Sequence, residues 1–240
     1  MKACALLLLT PFLAPSLARA DATIHQTTQD TFTVSFEKAS GEPTTTTLSP
    51  GVAVGGYQSL PTLRGKTLEI AVTSAAGDVL ARRGVVDDRH YLLLPQADGT
   101  YSIEEAGVAG SPMDPYPGVV IINTLREPVT LDLFGSSGQF GVKNVKLATA
   151  LDVKQVIPLS PQESDYRAVF HLADGTTFKS DTSVSKGRYA YVMRNNRGDL
   201  VVAGLGYIVK PPAKSATSAS GTLKKPVRPA PKARPKKASK

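Results

Sequence analysis

The 240 residues carry 28 Lys or Arg against 20 Asp or Glu, a formal charge of +8, and ten of those cations fall in the acid-free stretch 210–240. Taking those ten from +8 leaves −2 for residues 1–209, so the basic balance belongs to the tail and gives no ground for specific nucleic-acid recognition by a folded surface. The single cysteine, Cys4, sits in the first twenty residues, which excludes disulfides, thiolate metal sites and a thiol nucleophile from the rest.

Residues 1–20 read as a signal peptide. Lys2 supplies the positive start, Ala3 to Leu9 with Phe12 and Leu13 the apolar stretch, and Ala18-Arg19-Ala20 an A-x-A cleavage signal before Asp21. The stretch is too short and too interrupted by Pro11 and Pro15 to span a membrane, and no later apolar run approaches the roughly 18 residues a span needs. The expected location is the periplasm, with secretion as the alternative.

From residue 21 onward the chain repeats itself. Phe32, Val34 and Phe36 alternate with polar residues as a half-buried strand should, and Val129, Leu131 and Leu133 do the same. Each is preceded by a shorter apolar stretch, Ile24-His25-Gln26 and Ile121-Ile122-Asn123. The turns at Gly77 and Gly175 are 98 residues apart, and each needs a residue that tolerates positive φ. A closing hairpin follows, with His90-Tyr91-Leu92-Leu93-Leu94 set against Arg188-Tyr189-Ala190-Tyr191-Val192 at the same offset. This alignment places Tyr91 opposite Tyr189. Matching order at a near-constant spacing points to duplication.

The fold expected is all-β: two tandem small β-sandwich domains related by duplication, each of five to seven short strands, then a disordered tail. The boundaries are 21–107 for the first domain, 108–118 for a Pro/Gly linker, 119–209 for the second and 210–240 for the tail. A single continuous sandwich is the alternative architecture. The tail has six prolines, no aromatic residue and no periodicity, so it cannot bury enough apolar surface to offset its ordering entropy.

Catalytic chemistry is hard to find. No cluster of His, Cys or acid has metal-ligand spacing, and there is no G-x-S-x-G elbow; Gly135-Ser136-Ser137-Gly138 reads as a turn between strands. Asp87-Asp88-Arg89-His90 has the D-x-x-H spacing that positions a base in some serine esterases and acetyltransferases. No Gly-Asp-Ser motif supplies a nucleophile upstream, so this is read as a polar connection entering a strand. His25, His90 and His171 are each expected at the surface. No catalytic, metal or cofactor residue is therefore assigned.

Two sets of contact residues remain. Tyr91, Tyr189, Tyr191 and Arg188 are the candidates for glycan or partner contact. Lys224, Lys225, Arg228, Lys232, Arg234, Lys236 and Lys237 are the candidates for polyanion contact, since a basic tail attracts any polyanion by counterion release. In an exported protein an acidic polysaccharide is the natural polyanion.

The order of features resembles the periplasmic alginate O-acetylation adaptor family, the F protein of the alginate operons. The likeness rests on the closing pattern Arg188-Tyr189-Ala190-Tyr191-Val192-Met193, Asn195-Asn196-Arg197-Gly198, Leu200-Val201-Val202 and Lys210. It rests also on Val119-Val120-Ile121-Ile122-Asn123 followed by Val129-Thr130-Leu131. The Leu-Tyr-Gly-Pro opening of the family is absent, and the Lys/Pro/Ala tail is an extra. The resemblance implies a non-catalytic adaptor that organises envelope acetyltransferases in O-acetylation of an alginate- or cellulose-type exopolysaccharide. The residues alone leave a second reading open: a carbohydrate- or envelope-surface-binding protein anchored electrostatically by its tail.

Overall fold

The structure is a computed structural model that describes residues 19–209 apart from 52–54, 97, 114–115, 126, 139, 149–154 and 161. The seven tail cations singled out above lie outside the described residues. Among the described residues there are sixteen strands and no helix. The first half contains β1 (Arg19–Gln26), β2 (Phe32–Glu37), β3 (Pro43–Leu48), β4 (Tyr57–Leu63), β5 (Thr67–Thr73), β6 (Val79–Val86), β7 (Arg89–Pro95) and β8 (Tyr101–Val108). The second contains β9 (Gly118–Asn123), β10 (Val129–Gly135), β11 (Gly141–Leu147), β12 (Gln155–Pro158), β13 (Asp165–His171), β14 (Thr177–Ser185), β15 (Arg188–Arg194) and β16 (Leu200–Tyr207).

The period-two patterns decide which face each strand buries. In β2, Phe32, Val34 and Phe36 point inward while Thr33 and Ser35 stay half-exposed; in β13, Tyr166, Ala168 and Phe170 point inward. The outer sheet of the first half runs β3-β2-β5-β6 and that of the second β11-β10-β13-β14. Each packs on an inner sheet, β8-β7-β1-β4 or β12-β9-β15-β16. One apolar core lies between each pair: Ile24, Val34, Leu48, Val72 and Leu93 in the first half, Ile121, Leu131, Leu133, Phe170 and Val192 in the second. Strand order is the same in the two halves when β1 is set against β9 and so on to β8 against β16. Each half has eight strands, more than the five to seven expected. The additional ones include edge strands such as β3, whose Thr-rich sequence shows no apolar alternation, and β4, which is interrupted by Pro61.

The halves are joined more closely than a linker requires. Val108 of β8 pairs with Tyr207 of β16, so the two inner sheets form one eight-stranded sheet, β12-β9-β15-β16-β8-β7-β1-β4. The backbones nearly touch there: a Cβ built on Gly107, which has φ +102°, would lie 2.6 Å from the Tyr207 carbonyl oxygen. Glycine is required at that point on both counts.

Only that single register pair links β8 to β16, and the half-sheets turn their back faces to each other to enclose a third apolar cluster. Leu92, Leu94 and Ala106 of the first half meet Val120, Ile122, Tyr189, Tyr191, Met193, Val201, Ala203 and Leu205 of the second. β7 and β15 are consequently buried on both faces, with Tyr91 and Leu93, or Ala190 and Val192, pointing into their own sandwich cores. Gln29 Nε2 reinforces this seam by donating to the Arg194 carbonyl oxygen (3.0 Å).

Candidate functional site

The tyrosines expected at a contact surface are interior residues. Tyr91 lies in the core of the first half, 2% exposed, where its hydroxyl accepts a hydrogen bond from the Val86 N–H (2.9 Å). Tyr189 and Tyr191 lie in the seam, 8% and 1% exposed. Burial pushes the hydroxyls of all three upward, that of Tyr191 well beyond the ordinary phenol range. None of these rings offers a face to a glycan. Arg188 is half-buried: Nη1 donates to the Leu205 carbonyl (3.1 Å), Nη2 to Tyr207 Oη (2.6 Å), and the guanidinium lies 4.1 Å from the centroid of the Tyr207 ring. It stiffens the junction rather than reaching outward.

The pairing of Tyr91 with Tyr189 is also one residue out of step. Arg89 pairs with Val108 and Arg188 with Tyr207, which sets the offset of the closing hairpin at 99. Tyr91 therefore corresponds to Ala190, and His90 to Tyr189. The additional residue sits upstream, where β14 has nine residues and β6 eight.

Two of the histidines are not simple surface residues. His25 Nε2 and His90 Nδ1 are 2.9 Å apart, one ring donating and the other accepting. The pair lies on the back face of β1 and β7, beside the exposed Tyr57 ring, 5.8 Å from His25. Removal from water, with the His90 charge second, holds His25 down at about 3; His90 is lowered by burial and then by Arg188. Asp87 has no part in this arrangement, because its Oδ1 accepts from the Gly65 N–H (3.0 Å) instead. The Asp87/His90 dyad is not assembled. His171 does face outward, half-exposed, with Nε2 3.3 Å from Asp132 Oδ1. Among the described residues no group of three His, Cys, Asp or Glu is placed to hold a metal ion.

The surface best built for a ligand is elsewhere, on the outer face of the second half. A groove of about 390 Å³ is lined by Phe134, Gly135, Ser136, Gly138, Arg167, Val169 and Lys179. Its geometry follows from strand parity. Leu131 and Leu133 of β10 point into the core, so Phe134 points out, and its register partner on β13 is Arg167. Lys179 arrives from β14 opposite Val169, and Lys143 of β11 places Nζ 5.8 Å from the centroid of the Phe134 ring. One side chain from each of the four strands thus contributes to a patch about 14 Å across at normal strand spacing, with Phe134 level with Arg167 and Lys179 one step along the strands, level with Val169 and Asp132. The turn at one end is fastened by the buried Glu163 carboxylate, which accepts from Ser136 Oγ (3.0 Å), the Ser137 N–H (3.2 Å) and Ser137 Oγ.

No protein-family model matches this chain, and no curated protein matches it. A solved structure that does match is CBMbc, a family-26 carbohydrate-binding module of Amy13K from Eubacterium rectale, in complex with maltoheptaose. It is 15% identical and the match covers 80% of this chain and 98% of that one, at a TM-score of 0.26. At that score the likeness carries no argument, and the site stands on its own geometry.

The first half supplies an internal comparison. Its outer sheet has a groove at the corresponding place, lined by Ser35, Glu37, Glu69, Ala71 and Arg82 among others. By strand correspondence Glu37 stands where Phe134 does, and Glu69 where Arg167 does. One groove therefore carries two carboxylates with hydroxyls and a single arginine, the other an aromatic ring with an arginine and lysines. Sequence reasoning passed over Phe134, although a signal was present: it is out of phase with Val129, Leu131 and Leu133, which puts an aromatic ring on the polar side of a strand.

Proposed function

We propose that this protein is an exported, non-catalytic binder of envelope polysaccharide, built by duplication of one β-sandwich and acting through the outer face of its second half. Residues 1–20 direct export to the periplasm and are removed. Residues 21–107 and 119–209 are the two domains, and the tail from 210 adds unspecific attraction for polyanions. The observation that carries the reading is the Phe134 groove. An aromatic ring held among polar side chains on an open, shallow surface suits a sugar ring, which has an apolar face and a polar rim.

Phe134→Ala in the full chain is expected to lower affinity for an envelope glycan about tenfold, the usual loss when a central aromatic contact is truncated. Affinity electrophoresis over a panel of bacterial exopolysaccharides measures this. Equal mobility of wild type and variant on every polymer that retards the wild type would remove the groove from the function.

One observation favours the adaptor reading that the family resemblance implies. Five of the six sheet edges carry features that discourage strand addition: Pro61 inside β4, Pro158 closing the short β12, Arg82 and Arg83 on β6, a bulge with Lys143 and Lys146 on β11, and a bulge with Lys179 on β14. β3 opens with Pro43, but its remaining residues Thr44-Thr45-Thr46-Thr47-Leu48 have no proline, charge or bulge, and no strand lies on its outer side among the described residues. Such an edge accepts an extended segment main chain to main chain. Thr46→Lys, an inward-pointing charge beside Val34, should reduce co-purification of an envelope O-acetyltransferase at least tenfold, whereas Phe134→Ala should not. Unchanged co-purification by Thr46→Lys, with the melting temperature retained, would eliminate this edge as the docking site.

A further inference from the structure

We infer that the ligand of the Phe134 groove is a carboxylate-bearing polysaccharide, recognised by the folded second half independently of the basic tail. This rests on the glycan reading above and adds the chemical class. Lys143, Arg167 and Lys179 surround the ring, and Lys146 lies further along β11 on the same face, opposite Thr130. Arg167, Lys146 and Lys179 are exposed, and none of the four cations is in an ion pair among the described residues.

The neighbouring acids are mostly committed elsewhere. Asp132 accepts from the Asn144 N–H (2.7 Å) and sits beside His171. Glu163 is held by Ser136 and Ser137, and Asp165 by Ser185 Oγ (2.7 Å) and Ser164 Oγ (2.9 Å). Asp181 on β14 is the exposed acid, and it forms no ion pair with these cations. Hydrogen bonding leaves those carboxylates charged, but Asp132 and Glu163 are buried while Arg167, Lys146 and Lys179 project to solvent, so a ligand on this face meets cations first, with Asp181 the exposed acid beside them.

The arrangement of the cations also selects among anions. Arg167 offers a planar fork that can take a carboxylate with two parallel hydrogen bonds, while Lys143 and Lys179 are point charges on either side. The Phe134 ring lies next to Arg167 and Lys143, with Lys179 a step further along the sheet, so the patch offers an apolar platform bordered by carboxylate partners. That is the alternation presented by a chain of uronate sugars, each with an apolar ring face and a carboxylate at its edge. The corresponding groove of the first half keeps a cation, Arg82, in the place of Lys179 but has Glu37 and Glu69 in those of Phe134 and Arg167, so it lacks both the platform and the fork for the same polymer.

The test uses the full chain with Lys224, Lys225, Arg228, Lys232, Arg234, Lys236 and Lys237 each replaced by glutamine, so that the tail contributes little. Polymannuronate and polygalacturonate are titrated calorimetrically, each beside its carboxyl-methyl-esterified form, at low and moderate salt. The expected result is binding of at least one acid form, weakened by salt, at least tenfold weaker in Arg167→Gln and in Lys179→Gln, and absent with the esters. Esters bound as tightly as the acids, with binding still lost in Phe134→Ala, would overturn the inference and leave the glycan reading standing. Failure of both acids and esters, when a neutral exopolysaccharide is bound through Phe134, would overturn it too. Failure of every polymer would overturn both.

Discussion

Tyr191→Ala is expected to destabilise the protein by about 3–5 kcal/mol, the range for truncating a buried aromatic side chain to alanine. It should also split one cooperative melting transition into two. The ring is fully buried in the seam, and a Cβ built on Gly55 of the first half would lie 2.8 Å from Tyr191 Oη and 3.1 Å from Met193 Sδ. Those distances mark a direct contact across the two halves. Each sandwich retains its own core when this contact is lost, because none of the Tyr191 seam partners belongs to either core. The variant therefore uncouples two folded units instead of unfolding one of them. Differential scanning calorimetry distinguishes the outcomes. Tyr91→Ala, which empties the first core, should lower the first-half transition most, and Tyr191→Phe should cost only about 1 kcal/mol for the lost hydrogen-bonding group. A single sharp transition in Tyr191→Ala, merely displaced to lower temperature, would show that the seam is not what couples the halves.

The strands with one wet face were legible in the sequence, and the strands with two dry faces were not. β2 alternates cleanly, and β10 alternates apolar and polar as far as Leu133, so their inward residues could be named from spacing alone. In β7 and β15 the seam covers the second face, and the pattern becomes a continuous apolar run: Tyr91-Leu92-Leu93-Leu94, Tyr189-Ala190-Tyr191-Val192-Met193. Such a run fixes no register, because a one-residue slip exchanges apolar for apolar. Two tyrosines in similar surroundings then attract an alignment at 98 where the hydrogen-bonded ladder requires 99. The same runs did contain the information that something covers the back of the sheet, since a sandwich exposed on its outer sides would need polar residues at Leu92, Tyr191 and Ile122. What covers it is the other half, and no local pattern says so. The contact between His25 and His90 spans 65 residues and depends on the parallel pairing of β1 with β7, which sequence spacing does not reveal. Phe134 differs from these cases: parity alone places it on the outer face, and Arg167 and Lys179 beside it follow once the sheet order is known.

Acid should loosen this protein well above the pH at which its carboxylates protonate, and His25 is the main reason. Histidine in an unfolded chain titrates near 6.5, whereas the folded protein holds His25 at about 3. Between those values the unfolded chain binds a proton that the folded one refuses. Stability from the neutral ring is therefore complete above about pH 6.5 and declines as the pH falls toward 3, with roughly 2 kcal/mol lost by pH 5. His90, lowered by burial and by Arg188, adds to the loss in the same direction. Asp165, held below the usual carboxylate range by Ser185 and Ser164, contributes only at lower pH, so it does not account for a change between 6.5 and 5. The position of the pair determines which part yields. A Cβ built on Gly206 would come within 2.8 Å of His90 Cδ2, so the histidines lie against the junction of β8 and β16, and a charge placed there stands beside Arg188. Urea unfolding followed from pH 8 to pH 5 should show a midpoint that falls steadily in wild type. In His25→Gln, which keeps a hydrogen-bonding group and cannot titrate in this range, most of that fall should disappear. An undiminished fall in His25→Gln would assign the acid sensitivity to other groups. If the fall disappears and the two halves also melt separately in wild type at pH 5, the histidine pair is what makes the junction conditional on pH, while both sandwich cores remain intact.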